Sequence, residues 1–199
     1  METATTAREG DRRGQLAEAA TDHVLAHGLI GLSLRPLAAA LGTSDRMLLY
    51  HFSGKDDLVA TVLHTSNERS VGLVRSLPAA PSVRETVIAL WEASTTQGQL
   101  ESCQRLYVEA AALGLLGKEP YASVVGESNR TWLRALADLL VRAGCSPELA
   151  PRAANLLDAA LMGLQLDLPL DRGTATLEQS VADLADAVGA IAAAGQGSR

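Results

Sequence analysis

Aromatic residues are scarce: Phe, Trp and Tyr together make up 3% of the 199 residues, and Phe52 is the only phenylalanine. Sheet proteins lean on aromatic and β-branched side chains, so this scarcity, beside 47% hydrophobic residues rich in Ala and Leu, predicts an all-α fold of helix packed on helix. Cysteine is equally sparse. Cys103 and Cys145 form no C-x-x-C motif, and all four histidines precede residue 65, so neither a metal site nor a disulfide framework is expected. Buried, reduced thiols are the default. No apolar run approaches the 18 or so residues of a membrane span, and METATTAREGDRRGQ lacks the apolar core of a signal peptide. We therefore expect a soluble, cytoplasmic protein with no membrane partner. The parts of an enzyme are missing too: there is no Ser/His/Asp or Cys/His arrangement, no Gly-rich phosphate loop and no Glu-x-x-His pair, so neither catalysis nor a cofactor is expected.

A surplus of positive charge is also lacking. The net charge is −6, and residues 1–67 hold six Lys or Arg against eight Asp or Glu. Binding of nucleic acid by overall attraction is excluded. It would need local placement of Arg12, Arg13, Arg35, Arg46 and Lys55, helped by helix N-termini and backbone amides.

What the chain does have is the stretch LSLRPLAAALGTSDRMLLYHFSGKDDL, residues 32–58. Ser33 is placed to cap a short helix beginning near Leu34, with Pro36 in the first turn, where its missing N–H costs little. Leu34, Leu37, Ala38 and Leu41 give that helix one apolar face, and Gly42 supplies the positive φ that ends it. Ser44 caps a second helix, whose Leu48, Leu49 and Phe52 should turn towards the first, leaving Asp45, Arg46, Met47, Tyr50 and His51 nearer solvent. This is a helix-turn-helix pattern. A helix fits the major groove of B-DNA, and a guanidinium there can donate twice to guanine, so Arg46 is the base-reading candidate. Tyr50, His51 and Lys55 suit phosphates. Met47 is equally suited to packing or to base contact. Asp56 and Asp57 favour the start of a further helix after Ser53-Gly54.

The stretch resembles the DNA-binding domain of the TetR family of bacterial transcriptional regulators. Ser33, Leu37, Ala38, Gly42, Ser44, Leu48, His51, Phe52, Lys55 and Leu58 stand in the family's register. Thr43 replaces the usual Val, and Leu49 replaces a phosphate-contacting Tyr. Tyr50 is the next residue, turned from that position by about 100°. The resemblance implies DNA contacts from Ser33, Arg35, Ser44, Asp45, Arg46, Met47, Tyr50, His51 and Lys55. It divides the chain into a helix-turn-helix domain, residues 1–54, and a helical effector-binding and dimerisation domain, residues 55–199, with about nine helices in all.

Residues 1 to about 10 are expected to be loose, and a first helix to run from about Asp11 to His27, with Leu16, Ala20, Val24 and His27 on one face and Gly28 as its stop. The helix begun at Lys55 should continue through Val59, Val62, Leu63 and Ser66 to about Leu77, where Pro78-Ala79-Ala80-Pro81 breaks it. Ser82 and Glu85 form a capping box ahead of Val83, Val87, Leu90 and Trp91. Leu100, Cys103 and Tyr107 mark the next helix, and Trp132, Leu136 and Leu140 the one after, ending at Gly144. Ala150, Ala154, Leu157, Leu161, Leu164 and Leu168 form an apolar seam that stops around Pro169 to Gly173. After a second capping box, Thr176 and Gln179, a last seam runs through Leu177, Val181, Leu184, Val188 and Ile191.

The two seams either pack on their own chain or pair with a second copy. The resemblance favours a homodimer through these two helices, presenting two reading helices to a palindromic operator in double-stranded DNA. It also implies a cavity for an unidentified small-molecule effector, with Trp91, Cys103, Tyr107 and Trp132 as lining and Gln104, Glu109 and Asn129 as polar contacts. The implied function is a sequence-specific regulator, a repressor released from its operator by an apolar ligand. The alternative is a protein-interaction module that keeps the helix-turn-helix as scaffold.

Overall fold

The computed structural model describes residues 2–78, 80–96, 98–171 and 175–194, with side chains from residue 12 onward apart from those of 169–171. Among them are nine helices and no strand: α1 (Glu2–His27), α2 (Leu34–Ala40), α3 (Asp45–His51), α4 (Lys55–Ser76), α5 (Val83–Thr96), α6 (Gly98–Leu115), α7 (Tyr121–Arg142), α8 (Ala150–Asp171) and α9 (Ala175–Ala194). The chain divides into two compact units. One holds Met1–Ser70 and Glu101–Asn129, the other Val71–Leu100 and Arg130–Arg199.

The first unit contains the helix-turn-helix. Its core joins Leu16, Ala20 and Val24 of α1, Leu37 and Ala38 of α2, Leu48 of α3, Phe52, Leu58, Val59 and Val62 around α4, and Cys103, Leu106 and Ala110 of α6. Leu48 is fully buried, a gain of about 1.5–3 kcal/mol over leaving it in water. Arg69 on α4 pairs with Glu18 and with Asp22, the latter at 2.7 Å, tying α4 to α1. Three local expectations are corrected here. α1 begins at Glu2 instead of near Asp11, because a helix nucleated further along extends at little cost where no proline stops it. His27 is exposed, and the buried face passes through Thr21 and Leu25 instead. Leu49 is 49% exposed, not turned inward. Leu48 and Phe52, four residues apart, already fill the inner face of α3, and Leu49 lies one step round the helix.

In the second unit, α9 packs on both α5 and α8. Val87 and Leu90 of α5, Leu136, Leu139 and Leu140 of α7, Ala154, Leu157 and Leu161 of α8, and Leu184, Ala185 and Val188 of α9 share one core. The apolar seams of α8 and α9 are thus buried against their own chain, the first of the two uses the sequence left open. Ser82 accepts the Glu85 amide at 3.2 Å and donates to its carboxylate at 3.0 Å, which starts α5 as expected. The second capping box is not made: Gln179 donates forward to Asp183 at 2.8 Å, since α9 is already helical at Ala175. α8 starts at Ala150, so Pro151 falls in the first turn, and it runs on past Pro169 to Asp171. Ala79 and residues 172–174, parts of two expected breaks, lie outside the described residues.

Candidate nucleic-acid interface

The turn between α2 and α3 is built from backbone bonds. The Gly42 amide donates to Ala39 O at 3.2 Å and the Thr43 amide to Ala38 O at 2.9 Å, with Gly42 at φ +64°, a Schellman stop that needs a residue without Cβ strain. Two residues later Ser44 Oγ accepts the Met47 amide at 3.2 Å and starts α3. Ser33 occupies the corresponding position before α2 with extended backbone, but its side chain makes no capping bond. The amide it would accept, three residues on, is missing because that residue is Pro36.

This packing leaves one surface of the motif in solvent. Ser33, Arg35, Ser44, Asp45, Arg46, Met47, Tyr50 and Lys55 are exposed and His51 is half-buried, so the nine candidates of residues 33–55 lie at or near the surface. Asp45 Oδ1 accepts the Arg46 amide at 3.0 Å, a contact that steadies the first turn of α3 and leaves the Arg46 side chain uninvolved. Among the described residues, no carboxylate lies within ion-pairing distance of Arg35, Arg46 or Lys55. Their charges are available to an anionic partner. Tyr50 meets the His51 ring edge-on at 5.1 Å.

Arg13 has a different part from the one its position ahead of the reading pair suggests. From α1, its Nε donates to the carbonyl of His51 at 3.0 Å, and its Nη2 reaches Asp57 at 3.2 Å and Thr61 at 3.3 Å. The guanidinium also lies 4.8 Å from the centre of the Phe52 ring. Asp57 in turn accepts the Ser53 amide at 2.9 Å. One cation therefore holds the end of α3 to the first turn of α4. No spacing rule reveals this, since the partners lie 38 to 48 residues away.

The residues expected to line an effector cavity fall in both units. Trp91 and Trp132 are half-buried against the core of the second unit. Cys103 is buried in the core of the first, and Tyr107 is half-buried on α6. Glu109 is already engaged, because Oε2 accepts the amides of Leu29 at 2.7 Å and Ile30 at 2.9 Å. Both cysteines are free and buried, and burial pushes the Cys145 thiol above its ordinary pKa. Among the described residues no cluster of His, Cys, Asp or Glu could hold a metal ion, and no helix is long and apolar enough to cross a membrane.

Comparison with known proteins gives three results. Residues 16–62 match the family model of bacterial regulatory proteins, tetR family. No curated protein matches the chain. Among solved structures, a TetR-family transcriptional regulator from Rhodococcus sp. is similar with a TM-score of 0.71 at 20% identity, over 92% of this chain and 99% of that one. A transcriptional regulator from Pseudomonas aeruginosa aligns with a TM-score of 0.66 at 26% identity, over 96% and 95%. One from Saccharomonospora viridis, solved with choline, aligns with a TM-score of 0.63 at 18% identity, over 89% and 95%.

Proposed function

From the premise that the chain belongs to the TetR family, by its residues 16–62 and by the nine helices among its described residues, we propose that it is a homodimeric repressor that leaves its operator on binding a small apolar effector. That it is a DNA-binding transcriptional regulator and not an enzyme follows from the family. The observation that carries the finer reading is the open N-terminal edge of α3, where Arg46 stands exposed and, among the described residues, without a carboxylate partner. Residues 1–54 form the DNA-binding domain and residues 55–199 the effector-binding and dimerisation domain. Base contacts come from Arg46, Met47 and Asp45, whose carboxylate can accept from a cytosine amino group, and phosphate contacts from Ser33, Arg35, Ser44, Tyr50, His51 and Lys55. The protein acts where the bacterial chromosome is, in the cytoplasm.

With the seams of α8 and α9 spent inside the chain, the dimer uses a second stripe. Arg152, Leu156, Ala159, Gly163 and Leu166 recur at spacings of four and three on α8, and Ala187, Ala190 and Ala194 on α9, and all are exposed in the single chain. Small residues let two such pairs approach closely in a four-helix bundle. Within the second unit, Trp91 and Trp132 are the residues assigned to the effector. A regulator of the same fold solved with choline supports a small organic molecule as the signal. A hundredfold preference of effector for the DNA-incompetent state corresponds to about 2.7 kcal/mol of coupling.

One observation favours a second reading, an interaction module. Met47, Leu49 and Tyr50 leave an apolar patch on α3, at 44%, 49% and 66% exposure. A gel-shift titration against DNA from upstream of the gene, with a scrambled duplex as control, separates the two. A retarded band specific to the upstream DNA supports the regulator, and none at micromolar dimer in low salt supports the module.

A further inference from the structure

Asp158, in the second unit, is a carboxyl group that the fold uses without using its charge. From α8 its Oδ1 accepts the indole N–H of Trp132 on α7 at 2.8 Å. The residue is half-buried, and no cation pairs with it among the described residues. The charge is held partly out of water against a single neutral donor, which raises the carboxyl pKa by desolvation. An amide oxygen would serve the indole equally well, so the negative charge is surplus to the packing. Met162 and Gln165 follow Asp158 on the same stripe of α8, both half-buried, and Trp91, Ile88 and Leu164 flank the same core with partly open apolar surface. A fixed carboxylate beside thioether and aromatic surface is the chemistry that recognises an organic cation with apolar substituents.

We propose that the Trp132–Asp158 pair is the anchor for the cationic group of the effector, and that the effector is therefore an amphiphilic organic cation. This rests on the effector-responsive reading above and narrows it to a ligand class. Trp132 orients the carboxylate through Oδ1, and the second oxygen takes the cation. The charge is kept at some cost in stability, as groups held for binding commonly are.

The test uses the full chain without DNA, so its failure is distinct from failure of operator binding. Isothermal titration compares tetramethylammonium and tetraphenylphosphonium with neutral triphenylphosphine oxide, on wild type and on Asp158→Asn. At least one cation should bind wild type about tenfold or more tightly than the neutral compound, and Asp158→Asn should lose that preference while melting at the same or a higher temperature. The indole emission of wild type, to which Trp132 contributes, should shift on cation addition but not with the neutral compound, and Asp158→Asn should lose that shift. The proposal is overturned if neither cation binds wild type, if Asp158→Asn keeps the cation preference, if that variant melts lower, or if the wild-type indole emission does not respond.

Discussion

The carboxylate of Glu109 on α6 accepts the backbone N–H of Leu29 at 2.7 Å, across 80 residues of sequence. The same oxygen takes the Ile30 amide at 2.9 Å, and one turn earlier Arg105 donates to Leu25 O at 2.9 Å. α6 therefore supplies acceptor and donor to the C-terminal end of α1, where the last backbone groups have no partner within the helix. Glu109→Ala strands the Leu29 amide beside a buried side chain. It should cost about 1–3 kcal/mol in urea unfolding, and Glu109→Gln, which keeps one acceptor oxygen, should cost less. Equal stability of all three proteins contradicts the bond.

Arg13 gives a way to tell a positioning residue from a phosphate contact. Arg13→Ala releases the end of α3 from α4, so operator affinity should fall by about tenfold in protein still folded at the assay temperature. The slope of log affinity against log salt should not change. A phosphate contact, by contrast, would take about one unit from that slope.

Leu48 is the side chain on which the two short helices close. Leu48→Ala should lower stability by about 2–5 kcal/mol, measured by thermal or urea unfolding. A loss below 0.5 kcal/mol would place the α2–α3 contact elsewhere.

The raised pKa of Asp158 gives a pH dependence with a definite sign. A carboxyl that holds its proton more tightly when folded opposes folding once it is ionised. Its penalty is absent below the ordinary Asp pKa of 3.8 and fully developed above the raised folded value. Asp158→Asn should therefore match wild type in acid and gain on it as pH rises to neutrality. An advantage that instead shrinks with rising pH contradicts the assigned direction.

Much of this was legible in the chain. Gly42 and Ser44 announce a stop and a start because their effects are local, and the three- and four-residue spacing of Val59, Val62, Leu63 and Ser66 marks a buried face of α4. Hidden from such rules were the long-range partners: nothing near Arg13 points to His51 or Asp57, and nothing near Glu109 points to Leu29. Leu49 misled because its apolar character suggests an inward turn, and helical phase decides otherwise. The seams of α8 and α9 were visible, but a spacing does not say whether the facing helix belongs to the same chain. For Ser33 the residue type was right and the capping bond was absent.

The claim on which the rest depends is that the exposed edge of α3 meets the edges of base pairs. Fluorescence anisotropy with a labelled upstream duplex, wild type against Arg46→Ala, tests it most directly. Arg46→Ala should lose roughly 1–3 kcal/mol in operator affinity and discriminate less well between operator and scrambled DNA, with its sedimentation unchanged. Unchanged affinity and unchanged preference would contradict it.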